Sequence, residues 1–252
     1  MNIYGIKDSA NLTVKYKAGT NKDKVFLYSD YATVSTNEWT SEQVYAKSKN
    51  VNAIRWDYGR ASTFKVDMEI FDLKWIGMLF GTEFVTGGAD ILKREVLTVA
   101  NNKATLTGTP KTGSMSVYVL DEDGITNGKE LKAGETTATA DTYVLGGTDS
   151  KEITTSGVTG KIVAYYIEAS TTAKTMTISA NKYPENFIIV GDTMIRGTDG
   201  SDEFVQITYH NVKPKSQFTL TLDAANITTL SVEFDILKDT ASDAMATYTI
   251  YK

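Results

Sequence analysis

Between Ala61 and Ile70 the chain alternates: Phe64, Val66, Met68 and Ile70 fall on one side, and Lys65, Asp67 and Glu69 on the other. A period of two is that of an extended strand, whose successive side chains point to opposite faces. The stretch therefore predicts a strand with one dry and one wet side. The same alternation returns in Leu12, Val14 and Tyr16; in Phe204, Ile207 and Tyr209 with a slip; in Phe218, Leu220 and Leu222; and in Leu230, Val232, Phe234 and Ile236. Helical spacing is found in Phe71 to Phe80, where Phe71, Trp75 and Met78 or Leu79 recur and Gly81 supplies a natural C-terminal stop. This helix is apolar nearly all round, so it needs cover on most sides. Ser41-Glu42-Gln43-Val44 offers a start signal for a second helix over Thr40 to Ser48.

From about Asp90 to Tyr183 the pattern changes to short strands at Glu95–Val99, Lys103–Thr107, Met115–Leu120, Thr142–Leu145, Lys151–Thr154, Lys161–Ile167 and Thr175–Ser179. Turn residues separate them: Asp123-Gly124, Asn127-Gly128, Gly146-Gly147 and Gly157. Many short strands at such spacing predict a small β-sandwich of immunoglobulin-like kind. Because the longer amphipathic pattern resumes at Asn186, residues 90–183 read as a domain inserted into a discontinuous main domain of residues 1–89 and 184–252. The expected fold is mainly β: a sandwich or barrel domain with one short packed helix, plus the inserted sandwich.

Composition narrows the chemistry. The 252 residues are 41% hydrophobic and 23% charged, which suits a folded protein. There is no cysteine, so disulfides, thiolate metal sites and cysteine nucleophiles are excluded. A net charge of −5 gives no overall footprint for gripping phosphate. No stretch approaches the roughly 18 apolar residues of a membrane-spanning helix, and the N-terminal residues lack a signal-peptide pattern, so a cytoplasmic origin without a membrane anchor is expected.

The single histidine, His210, leaves histidine triads and paired-histidine metal sites without parts, and it reads as a strand-end or turn residue. The acidic turns Asp121-Glu122-Asp123-Gly124 and Asp199-Gly200-Ser201-Asp202 resemble metal loops, but neither continues to the closing glutamate of a calcium loop, and a hairpin turn explains them more simply. Glu233 and Asp235 lie two apart on the wet face of a strand, where a solvated surface accounts for them better than a carboxylate pair for glycoside hydrolysis. The glycine pairs lack the lysine and hydroxyl residue of a phosphate loop. Arg55, Trp56, Tyr58 and Arg60 have the composition of a nucleic-acid stacking surface; a strand with packed aromatics and paired arginines fits the acidic balance better. No catalytic, cofactor-binding or metal-binding residue is assigned, and the chain is expected not to be an enzyme.

The run Asn186 to Arg196, which contains Val190-Gly191-Asp192-Thr193, resembles the phage tail tube and related major virion structural proteins. So do Gly200, Val205 to Ile207, Val212 to Pro214, Phe218 to Leu222 and Phe234 to Asp239, and upstream Arg60 to Glu69 leading into the 71–80 helix. The resemblance implies a subunit that closes into rings, generally hexameric, and stacks them into a hollow tube for genome delivery, with no catalytic residues. It implies assembly in the host cytoplasm and residence in the virion tail. Expected partners are copies of itself and other tail proteins such as a tape measure, sheath or terminator, with genome DNA passing without specific binding. On that reading Lys65, Asp67, Glu69, Glu233 and Asp235 form a wet, acidic face that could line the lumen and repel phosphate. Tyr28, Tyr31 and Trp39, amid polar residues, form a candidate ring-to-ring contact. A head-decoration or other virion surface protein, and a carbohydrate-binding or adhesive module for which exposed tyrosines and tryptophans could supply stacking surfaces, are the alternatives.

Overall fold

The computed structural model describes residues 3–6, 8–217 and 224–252. The chain divides into two compact units, Met1–Phe84 with Met176–Lys252, and Val85–Thr175. The first unit begins with β1 (Tyr4–Ile6), β2 (Asn11–Tyr16), β3 (Val25–Ser29), β4 (Ala32–Ser48), β5 (Val51–Met68) and α1 (Leu73–Phe80). The second unit carries β6 (Val85–Thr86), β7 (Ala89–Thr98), β8 (Lys103–Thr105), β9 (Ser116–Leu120), β10 (Asn127–Ala133), β11 (Thr142–Gly146), β12 (Glu152–Thr154), β13 (Lys161–Ser170) and β14 (Lys174–Thr175). The first unit is completed by β15 (Phe187–Gly197), β16 (Asp202–Pro214), β17 (Leu230–Ile236) and β18 (Ala246–Tyr251). The expected strand at Phe218, Leu220 and Leu222 lies outside the described residues.

In the first unit nine strands form a nearly closed, barrel-like sheet whose main path runs β3-β2-β15-β16-β17-β5-β4. The long strands β15 and β16 each serve two partners along one edge. β15 pairs with β2 through Phe187–Asp192 and with β1 through Ile195–Gly197. β16 pairs with β18 through Phe204–Tyr209 and with β17 through Val212–Pro214. The register is fixed by the dry face, because a one-residue slip would turn every apolar side chain outward. Val232 stands opposite Val66 and Phe234 opposite Phe64, and all four are buried.

Trp75 of α1 packs edge-on against Phe234 at 6.4 Å between centroids, and Phe64 lies 5.0 Å from Tyr209. Full burial of such side chains contributes about 1.5–3 kcal/mol each. The helix starts at Asp72, whose carboxylate accepts a hydrogen bond from the Lys74 amide at 2.9 Å. It ends at Gly81 with φ of +64°, where the amides of Gly81 and Thr82 bond back to the carbonyls of Met78 and Gly77. A Cβ at Gly81 would stand 2.2 Å from the Tyr183 carbonyl oxygen, so only glycine fits that stop.

The second unit is a seven-stranded arrangement in the order β7-β13-β9-β10-β11-β12-β8, with a separate β6–β14 pair. β10 and β11 run parallel, and the other pairs are antiparallel. Its core gathers Val117, Leu131, Ile153, Ile162 and Tyr166. Glu95 ties this unit together: its carboxylate accepts from the Tyr166 hydroxyl, from the Thr107 amide and hydroxyl, and from the Gly108 amide. Burial works to raise the Glu95 carboxyl, but these donors outweigh it and hold the group low. Burial and the same carboxylate push the Tyr166 hydroxyl up to about 12.

The structure differs from the sequence pattern at several places, among them Ile70, which lies exposed beyond the end of β5 instead of on its dry face, and His210, which lies inside β16 instead of at a strand end or turn. Thr40 to Ser48 is strand, not helix: it has no apolar stripe at helical spacing, and its backbone pairs with 51–61 of β5. Phe204 points away from the core and stacks on Tyr251 at 5.6 Å, while its neighbours Glu203 and Val205 take the buried face. Met176 to Ser179 is not strand, since β14 stops at Thr175. Asn127-Gly128 opens β10 and is not merely a turn.

Candidate assembly surface

On the wet face of the main sheet the register brings four of the five candidate lumen residues together. Glu233 stands across from Lys65, and Ser231 across from Asp67. Lys65 pairs with Asp67 at 3.1 Å, and Lys215 pairs with Glu233 and reaches Asp235 at 3.7 Å. Lys213 stands opposite Asp235. Three lysines therefore face these three carboxylates, with exposed Glu38 beside them across Thr63, so the patch carries both signs of charge where a plainly acidic one was expected. Glu69 lies beyond the end of β5, exposed and outside the strand register.

The three expected contact aromatics separate. Tyr28 lies on edge strand β3 and is exposed. Tyr31 is committed inward: it packs against the core, and its hydroxyl accepts the Asp72 amide at 3.2 Å just ahead of α1. Trp39 is 40% exposed, and its indole N–H donates to Asn37 at 2.6 Å.

Trp39 marks the base of a feature that sequence reasoning did not find. β4 and β5 are 17 and 18 residues long, and only 32–40 and 61–68 belong to the barrel-like sheet. Among the described residues the remainder pairs only with itself and extends as a two-stranded arm. A two-residue turn closes it at Lys49 and Asn50, both with positive φ, +46° and +69°. Such a turn matches the twist of the strands it joins, so the ribbon continues to its tip.

The arm is two-faced. Val44 stands opposite Trp56, Ala46 opposite Ile54 and Glu42 opposite Tyr58 on one side; Gln43 stands opposite Asp57 and Tyr45 opposite Arg55 on the other. The polar side satisfies itself, with Arg55 to Asp57 at 3.1 Å and the Tyr45 hydroxyl to Gln43 at 2.6 Å. The apolar side is bare: Val44, Ile54, Trp56 and Tyr58 are each at least half exposed. Here the expectation that these aromatics pack is overturned, because the strand carrying them leaves its own core. The signal is present as the period-two run Ile54, Trp56, Tyr58, but the turn lacks the glycine that usually flags a hairpin.

The groups considered for chemistry are engaged in ordinary structure. His210 lies within β16, and its Nε2 is 2.7 Å from the Thr247 hydroxyl. Asp123 accepts from the Ile125 and Thr126 amides, and Asp199 accepts from the Ser201 amide and hydroxyl, so both acidic turns cap themselves. Among the described residues no three His, Asp or Glu side chains gather as a metal site would require, and no helix is long and apolar enough to cross a membrane.

A nearly closed antiparallel sheet that carries a bare, two-faced arm defines a β-structural protein with a surface left to be covered. The sequence matches the model of the YomU/Tube protein family over residues 4–250, and the chain belongs to that family. Membership is consistent with a phage tail tube protein and places the chain among the structural components of the virion tail. No curated protein matches the sequence.

Proposed function

We propose that this protein is the repeating subunit of a tail tube, closing with copies of itself into hexameric rings that stack into a hollow conduit for genome delivery. The uncovered apolar face of the arm is the observation that carries this reading. A two-stranded ribbon is marginal in water on its own, and a contiguous exposed apolar patch marks an interaction surface. The partner that every tube supplies to every subunit is another copy. A contact between an arm and a different surface of the next copy is head to tail, and such contacts generate rings or filaments.

Edges support the same reading. β3 and β4 end the sheet path, each with one side that no described strand pairs, and copies of the chain would complete them. The function asks for no catalysis: the work belongs to the polymer. The face around Lys65 and Glu233, which has no surplus of cations, would let DNA pass without binding it, since tight retention needs one. Tape-measure, sheath or terminator proteins would meet the assembled tube, and assembly would take place in the host cytoplasm.

Negative-stain imaging of the concentrated protein tests the proposal. Rings with a central channel, or tubes built from them, are the expected result. Uniform monomers at every concentration would overturn it.

A further inference from the structure

We infer that the lysine-bearing tip of the arm of one copy seats in an acidic, aromatic-walled cavity at the opposite end of the next copy, a contact that rests on the tube reading above. The cavity, about 250 Å³, is walled by Tyr16, Phe26, Phe187 and Met78, with Glu83 and Glu185 at its lining. The three rings hold one another at centroid distances of 5.2–5.9 Å, so the apolar wall is preformed. Glu83 accepts from the Tyr16 hydroxyl at 3.2 Å. Among the described residues neither Glu83 nor Glu185 has an ion-pair partner, and Lys17, next in sequence to Tyr16, is committed to Asp239 at 2.6 Å.

The tip presents the complement. Lys47 and Lys49 flank Ser48 at the end of the ribbon and also have no ion-pair partner among the described residues. A lysine stem lies well along aromatic faces while its ammonium meets carboxylates. Topology puts tip and cavity at opposite ends. β2 runs parallel to β5 through four antiparallel steps, and the cavity lies beyond the C-terminal end of β2, whereas the arm leaves from the N-terminal end of β5. A subunit stacked along the strand direction therefore presents its tip toward the cavity of the next.

Charge exchange tests the contact. Lys47→Glu with Lys49→Glu, and separately Glu83→Lys with Glu185→Lys, should each raise the critical concentration for polymerisation at least about tenfold, because like charges are then juxtaposed. The four substitutions combined in one chain should restore it. Because the chain has no cysteine, Lys49→Cys with Glu185→Cys should give a ladder of covalent oligomers on oxidation, while either single variant stops at dimers. Wild-type polymerisation with exchange variants that assemble normally, or that fail without rescue, overturns the tip contact and leaves the tube reading standing. A wild-type protein that never assembles overturns both.

Discussion

β5 is one strand whose two halves both carry apolar residues at even positions, turned to opposite faces by the register shift at Gly59 and Arg60, and the two halves meet different fates. In 61–68 the even positions Phe64, Val66 and Met68 are buried in the core that β17, Trp75 and Tyr209 complete. In 51–60 Ile54, Trp56 and Tyr58 repeat the pattern and remain bare. The first half finds its partner inside the chain. The second has a backbone ladder with β4, interrupted by two register shifts, and among the described residues no partner for its apolar side. An alternating strand thus specifies that a face will be covered without specifying by which molecule, and that distinction separates the part of this protein that folds it from the part that assembles it.

The sharpest way to break the comparison is to truncate large apolar side chains in each half's environment. Phe234→Ala, in the core beside Phe64 and Trp75, should cost about 3–5 kcal/mol of folding stability in denaturant titration, because it leaves a cavity. Ile54→Ser with Trp56→Ser should change the unfolding free energy of the isolated subunit by only about 0.5–1 kcal/mol. The same pair should raise the critical concentration for assembly at least about thirtyfold, corresponding to a hot-spot loss of about 2 kcal/mol. If the arm variant unfolds as readily as the core variant, the two halves are not divided as described.

A smaller effect probes the segment that follows β17, whose Ala244 lies beside Trp39 and Tyr58 at the base of the arm. The Lys17 hydrogen bond, followed by that of Ser242, holds the Asp239 carboxyl down to about 2, below its ordinary 3.8. A folded value below the unfolded one means that the stabilisation is present above the unfolded value and is lost as pH falls through about 2. Acid titration of wild type against Asp239→Asn should therefore show wild type more stable near neutrality and the two curves converging across that window. The smallest effect is expected on the wet face. Glu233→Gln with Asp235→Asn should alter stability by less than about 1 kcal/mol, since exposed ion pairs are weak; thermal unfolding at low and moderate salt checks it.

What is legible in the sequence follows the same division. The dry faces of β5, β17 and β2 and the 71–80 helix can be read because burial within the chain enforces their periodicity, and Gly81 announces its own stop. The arm cannot, because no described residue of its own subunit covers Trp56 and because Asn50 takes the positive φ more often given to glycine. Thr40 to Ser48 misleads for the same reason: its strand character comes from pairing with a segment that local signals do not identify. Phe204 turns outward because its stacking partner, Tyr251, stands opposite it in the β16–β18 ladder, far along the chain. That non-local pairing, and not the local alternation, decides which way Phe204 points.

Hydrogen exchange along the arm, compared between the dilute subunit and the assembled protein, tests the central claim most directly. The account predicts that amides in 41–60 become strongly protected on assembly while those of 61–68 exchange slowly in both states. Equal and rapid exchange of 41–60 in the assembled protein would contradict it, because the arm's apolar face would then have no partner even in the polymer.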